Sequence, residues 1–233
     1  MILLALESAT SKCSVAVCDA AGRVVGDRRG EPGPDQADRL VELVDAALRD
    51  VGLDYAAVDV IAVNRGPGSF TGLRAGVAAA RGLALALARP VIAVNTLEVL
   101  AAALGPRPAG TVVAAMDARR GQVYLQCFDH RLVPLGAPSA VAPEDLTLAA
   151  AAPPLHLVGS GAALVRAAVP DRRPIVNAHI EADAVGVARR ALARLAEGER
   201  ARAGWTVQPL YLRPPDARLP ALRQARAGAA LGA

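Results

Sequence analysis

The segment from Val63 to Gly76 holds the residues best suited to chemistry. Arg65, Gly66, Pro67, Gly68, Ser69, Phe70, Thr71, Gly72 and Arg74 form a glycine-rich loop between the apolar run Val58–Val63 and the Ala-rich run Leu73–Leu87. The pattern predicts a buried strand, a loop and a helix. Loop N–H groups and a helix dipole together can hold an anion. This is not a Walker A loop, because GxxxxGK[ST] is absent and the one lysine is Lys12. Nor is it the dinucleotide fingerprint. The Gly66, Gly68, Gly72 spacing is one residue too long, and the next acidic residue is Glu98. A structural turn, with glycines serving close helix packing, explains the same residues.

Other chemistry is poorly supplied. His130, His156 and His179 are scattered, with no HxxxH or HExxH pair, so local spacing builds no metal site. No GxSxG nucleophile string occurs. Cys13, Cys18 and Cys127 form no CxxC pair, which fits a reduced cytosolic chain. The N-terminus enters a strand without a basic region, so no signal peptide is expected. No apolar stretch is expected to span a membrane.

The 233 residues suffice for one large domain or two lobes. Hydrophobic content is 53% but aromatic content only 3%, so Ala, Val and Leu must build the core. Residues 1–100 carry 10 basic against 12 acidic side chains, and residues 101–233 carry 16 against 10. Basicity in the second half admits RNA contact, although Arg-rich codon usage is the better account, since 25 of the 26 basic residues are Arg.

The halves echo each other. Leu3–Leu6 ends at Glu7 and Cys13–Cys18 follows; Val112–Met116 ends at Asp117 and Gln122–Phe128 follows. Val60–Val63 leads into Gly66-Pro67-Gly68 and a helix; Leu155–Val158 leads into Gly159-Ser160-Gly161 and a helix over Ala162–Val169. Leu40, Leu43, Val44, Ala47 and Leu48 predict an amphipathic helix from Asp35 to Asp50. Pro90–Val94 predicts a strand parallel to Val58–Val63, and Thr96 is expected to cap a helix over Leu97–Leu104. Asp183 caps a further helix that ends before Gly198. In the helix after the glycine loop, Gly72, Gly76, Ala80 and Ala84 make a stripe without bulk, with Val77 and Leu83 elsewhere on the cylinder. The stripe can seat against the protein's own sheet or against a second subunit.

The string Arg65–Arg74 resembles the signature of the TsaB (YeaZ) family. Ile2–Thr10 with Cys13–Val17, Met116–Tyr124, and Pro209–Arg213 resemble its other motifs, so the resemblance covers about residues 1–213. It implies a two-lobed α/β fold of the actin/sugar-kinase/Hsp70 (ribonuclease H-like) type. An N-terminal lobe over 1–105, a C-terminal lobe over 106–213 and a disordered tail over 214–233 are expected. The resemblance also implies a non-catalytic scaffold for N6-threonylcarbamoyladenosine formation at position 37 of tRNA. Its implied partners are a TsaD-type transferase, a TsaE-type ATPase, a second copy when isolated, and tRNA through the complex. No cofactor is required, with ATP or ADP allowed at the interface with the catalytic subunit. The two helices bearing Leu40, Leu43, Gly76, Val77, Ala80 and Leu83 are the implied association surface. In this superfold Glu7-Ser8-Ala9-Thr10-Ser11 occupies the place of an Asp-x-Gly phosphate turn. Glu replaces Asp and no glycine follows, leaving Glu7, Thr10 and Ser11 as the nucleotide contacts on offer. Asp117-Ala118-Arg119-Arg120-Gly121 reads as a second acidic turn or a solvated hairpin. The alternative function is an ATP-dependent small-molecule kinase of the same superfold.

Overall fold

A computed structural model describes residues 1–10, 13–31, 39–105, 109–177 and 179–213. The first sheet holds β1 (Ile2–Glu7), β2 (Ser14–Asp19), β3 (Val24–Arg29), β4 (Val60–Asn64) and β5 (Val91–Val94). The second holds β6 (Thr111–Arg119), β7 (Gln122–Phe128), β8 (Ser139–Val141), β9 (Leu155–Val158) and β10 (Ile175–Asn177). Their orders are β3-β2-β1-β4-β5 and β8-β7-β6-β9-β10. In each sheet the first three strands in sequence pair antiparallel, and the last two join the first in parallel. The faint sequence echo is therefore a duplicated topology, that of the two-lobed actin/sugar-kinase fold.

Among the described residues, five α-helices cover the sheets: α1 (Leu40–Arg49), α2 (Phe70–Leu87), α3 (Thr96–Ala103), α4 (Ala162–Ala168) and α5 (Ala184–Ala196). Alternation along each strand sorts the core into layers. Leu4, Leu6, Val15, Val17, Ile61 and Val63 face outward under α1 and α2. Leu3, Ala5, Ala16, Cys18 and Ala62 face inward, where α5 packs with Ala184, Val187, Ala188 and Ala191. Alanines on both surfaces let helix and sheet approach closely, which is how a core nearly without aromatics fills its space. That inner layer continues into Val112, Ala114, Phe128 and Val158 of the second sheet, so both lobes share one core. A part-buried ion cluster joins α3 to α5: Glu98 pairs with Arg190 and, at 3.3 Å, with Arg194. Arg194 also grips Glu199 through two 2.6 Å hydrogen bonds.

Several expectations are corrected. The β4 strand begins at Val60, after a 3-10 turn over Tyr55–Ala57. The α2 helix begins earlier, at Phe70, capped by Ser69. Asn95, not Thr96, caps α3; its Oδ1 accepts from Leu97 N at 2.8 Å. The start of the helix expected from Asp35, together with Ser11 and the tail 214–233, lies outside the described residues. By length and composition alone α2 is apolar enough to cross a membrane, a test that the core helix of a globular domain also passes. It nevertheless packs one side on β4 and carries Arg74 and Arg81 on the other.

The small-residue stripe of α2 is also reassigned. Gly72, Gly76, Ala80 and Ala84 are all buried within the protein, as is Val77. A Cβ on Gly72 would sit 1.9 Å from Ser8 O, and one on Gly76 would sit 2.3 Å from Ser8 Oγ. The glycine end of the stripe therefore seats on Ser8, just after β1, and its other end, Ala84, packs beside Gly204. The side open to solvent carries Ala78, Gly82, Leu85 and Ala86, and a Cβ on Gly82 would meet nothing within 4 Å. Two substitutions in this one helix should differ in sign. Gly72→Ala should cost about 2–3 kcal/mol, because a backbone carbonyl must move. Gly82→Ala should stabilise by about 0.5–1 kcal/mol through helix propensity. Urea unfolding of both variants checks this.

Candidate functional site

The carboxyl ends of the parallel strands in both lobes open onto one cleft of about 920 Å³. In open α/β sheets this is where ligands bind. On the first lobe the cleft meets Ala9, Thr10 and the loop Pro67–Phe70; on the second it meets Met116–Arg119 and Ser160. The returning segments 180–182 and 210–213 close its sides. The Arg65–Arg74 loop and the Pro209–Arg213 motif, far apart in sequence, thus meet in space. Leu210 N donates to Arg65 O at 2.7 Å.

Glu7 sits at the floor of this region, fully buried. It does not reach into the cleft. Its Oε1 accepts from Ala9 N at 2.7 Å, Thr10 N at 2.9 Å and Thr10 Oγ1 at 3.2 Å. Its Oε2 accepts from Asn64 Nδ2. The amides that a phosphate turn would offer to a ligand are thereby used within the protein. Asn64 extends the network. Its Oδ1 accepts from Gly66 N at 2.9 Å and lies 2.9 Å from the hydroxyl of Thr96, which is 2.6 Å from Pro67 O. Strand β4, the glycine loop and α3 are all tied to Glu7 through one amide side chain. Nothing in the local pattern around Asn64 or Thr96 announces this role, since each reads as an ordinary strand-end or cap residue.

The glycines finish the closure. Ser69 N donates to Ala9 O at 2.7 Å, and Ser8 Oγ donates to Gly72 O at 2.8 Å. A Cβ on Gly68 would lie 2.1 Å from Ala9 O. Gly66 has φ +106°, a conformation that favours glycine. The packing reading of the loop is thus the one realised. The second lobe repeats the device: Gly161 N donates to Ala115 O at 3.0 Å, and Asp117 N donates to Ser160 Oγ at 3.1 Å.

Asp117 differs from Glu7 in its exposure. Its side chain keeps 37% of its accessible surface, and its Oδ1 accepts from Arg119 N at 2.7 Å. Arg119, Arg120 and Gly121 turn the hairpin with φ of 62°, 55° and 73°. The hairpin reading of this segment is therefore correct, and Asp117 and Arg119 are its cleft-facing charges. Beside the loop, Arg74 lies 3.8 Å over the Phe70 ring and its Nε donates to Tyr211 OH at 3.2 Å. Leu40 is buried under the first sheet, and Leu43 and Leu83 are partly buried. Among the described residues no group of three His, Cys, Asp or Glu side chains converges as a metal site would require.

Burial pushes the Glu7 pKa from an ordinary 4.5 up to about 7, outweighing the hydrogen bonds donated by Asn64, Thr10 and Ala9. The folded state thus holds this proton more tightly than the unfolded chain does. Its contribution to stability is complete below about pH 4.5 and is lost as pH rises through about 7. Glu7→Gln cannot titrate and starts less stable at acid pH, because its amide faces the Asn64 donor. The gap to the native chain should narrow between these pH values by about 3 kcal/mol at most. Urea unfolding across that range measures it, and a constant gap would mean Glu7 titrates normally.

A family model described as "TsaD: tRNA N6-adenosine threonylcarbamoyltransferase" matches residues 35–170. The Haemophilus influenzae protein named tRNA threonylcarbamoyladenosine biosynthesis protein TsaB is 38% identical over 125 residues, 53% of this chain and 52% of that protein. The match thus spans about half the length of that relative. Two solved structures from Pseudomonas aeruginosa match most of the chain. One, titled YeaZ, has a TM-score of 0.75 and 31% identity, covering 91% of this chain and 99% of that one. The other, titled as similar to peptidase YEAZ, has a TM-score of 0.78 and 34% identity over the same shares.

Proposed function

This chain belongs to the TsaB (YeaZ) family, and we propose that it serves as a non-catalytic subunit in forming N6-threonylcarbamoyladenosine at position 37 of tRNA. In this reading it holds and activates a TsaD-type transferase, with a TsaE-type ATPase as third component. tRNA is reached through the complex, and the work is cytoplasmic. The observation that carries the non-catalytic part is the closed turn at Glu7. A phosphate-transferring member of this superfold needs free amides and an exposed carboxylate at that turn. Here three backbone and hydroxyl donors and the Asn64 amide are spent on Glu7 itself. The kinase alternative requires that turn to be open, and the geometry disfavours it. No cofactor is required; ATP or ADP at the shared interface remains compatible with the cleft.

The open side of α2, together with α1, is the proposed association surface for the partner and for a second copy. Leu85 is 85% exposed and Val41 on α1 is 52% exposed. Ala78 and Gly82 between them leave room for a neighbouring helix. This moves the surface off Gly76 and Ala80, which are buried, so that a large side chain there would overpack the protein's own core.

Two outcomes are expected. The purified protein with ATP and magnesium should show no turnover, and should restore modification of tRNA when mixed with the transferase and ATPase subunits. Turnover by the chain alone on the order of 1 s⁻¹ would overturn the scaffold reading. Ala78→Glu and Gly82→Glu should weaken self-association and transferase capture at least about tenfold, since a charge is desolvated at the contact. Their melting temperatures should stay near that of the parent. Light scattering and pull-down with the purified transferase read this out.

A further inference from the structure

The chain has only six aromatic residues, and three of them, Phe70, Tyr124 and Tyr211, line the cleft between the lobes. Phe70 and Tyr211 remain 39% and 43% exposed. Their ring centroids are 5.3 Å apart with planes 39° from parallel. The Arg74 guanidinium stacks on Phe70 and bonds Tyr211 OH, so the three side chains hold each other in place. Tyr124 packs against the inner core layer, whereas Phe70 and Tyr211 belong to none of the buried clusters, so core packing does not account for that pair. Arg119, with a side chain 86% exposed, lines the same cleft.

Flat π-faces beside a guanidinium suit a planar, hydrogen-bonding ring, and an exposed arginine suits the phosphate attached to it. A triphosphate seated on the β1 turn does not fit, because Ala9 N and Thr10 N are already bonded to Glu7. We propose that Phe70, Tyr211 and Arg74 form a stacking platform for an unpaired nucleobase of single-stranded RNA, with Arg119 meeting its phosphate. The inference rests on the function proposed above only for its choice of RNA over a free nucleotide. Binding is measured on the isolated chain, so its failure leaves the reconstitution result untouched.

The probe is a fluorescently labelled, unstructured hexaribonucleotide, with ADP and the same RNA in duplex form as competitors. Anisotropy should give saturable binding to the full chain. Tyr211→Ala and Phe70→Ala should weaken it at least about tenfold, the range expected for loss of one stacked base. Tyr211→Phe keeps the ring and should stay within about twofold. Arg119→Ala should reduce the salt dependence rather than the preference for single strands. Thermal melts establish that each variant is folded. If Tyr211→Ala is not, shifts of the Tyr211 and Phe70 ring resonances on adding the hexamer decide the matter, and their absence overturns the platform. No binding up to about 1 mM RNA overturns the proposal. So does equal competition by duplex, or binding indifferent to both aromatic substitutions. Binding of ADP but not of the hexamer would overturn the RNA assignment in favour of a free nucleotide.

Discussion

A buried carboxyl group bonded by its own turn is the constraint from which the rest of the first lobe follows. Glu7 lies at the end of the central strand with no solvent contact. An acidic side chain there is tolerated only if its oxygens are satisfied. The turn that follows supplies its amides, and β4 supplies Asn64. Once Asn64 is fixed, the glycine loop and the start of α3 are fixed with it, through Gly66 N and the Thr96 hydroxyl. Local chemistry thus converts a ligand-binding turn into an internal joint.

The glycines have their meaning in that joint. Gly68 and Gly72 are positions where a neighbouring carbonyl occupies the space of a Cβ. The loop has the outline of an anion site and the contacts of a packed corner. The second lobe packs Gly159 and Gly161 on Ala115 and Met116 in the same manner. There the acidic residue, Asp117, is left half open, so the two ends of the cleft are chemically unequal although their topology is duplicated.

Much of the architecture was legible in the residues. The paired hairpins, the βα units, the parallel β4–β5 step and α5 with its Asp183 cap follow from periodicity and end signals. The fold type rested on the family string. What could not be read were features set by distant partners. Whether Gly76 and Ala80 faced a sheet or a second subunit depends on where Ser8 lies, and helical spacing is silent on that. Thr96 looked like a cap because a hydroxyl before an apolar run usually is one. Its neighbour Asn95 took that role, and Thr96 bonded instead across 29 residues to Pro67. The short strands β8 and β10 carry too few residues for alternation to register. In the site, Asn64 was missed because its partner is 57 residues away.

Helix α5 belongs to the second half of the chain but covers the inner face of the first sheet, and Ala184 N donates to Ser14 Oγ across 170 residues. This sets a timetable for biosynthesis. At typical translation rates of about 5–20 residues per second, the interval between completing β5 and completing α5 is about 5–20 s. During that interval Leu3, Ala5 and Ala62 have no native cover, and the nascent first lobe is a one-sided sheet. Its long-range closure comes last, so the emerging chain depends for those seconds on whatever shields exposed apolar surface at the ribosome.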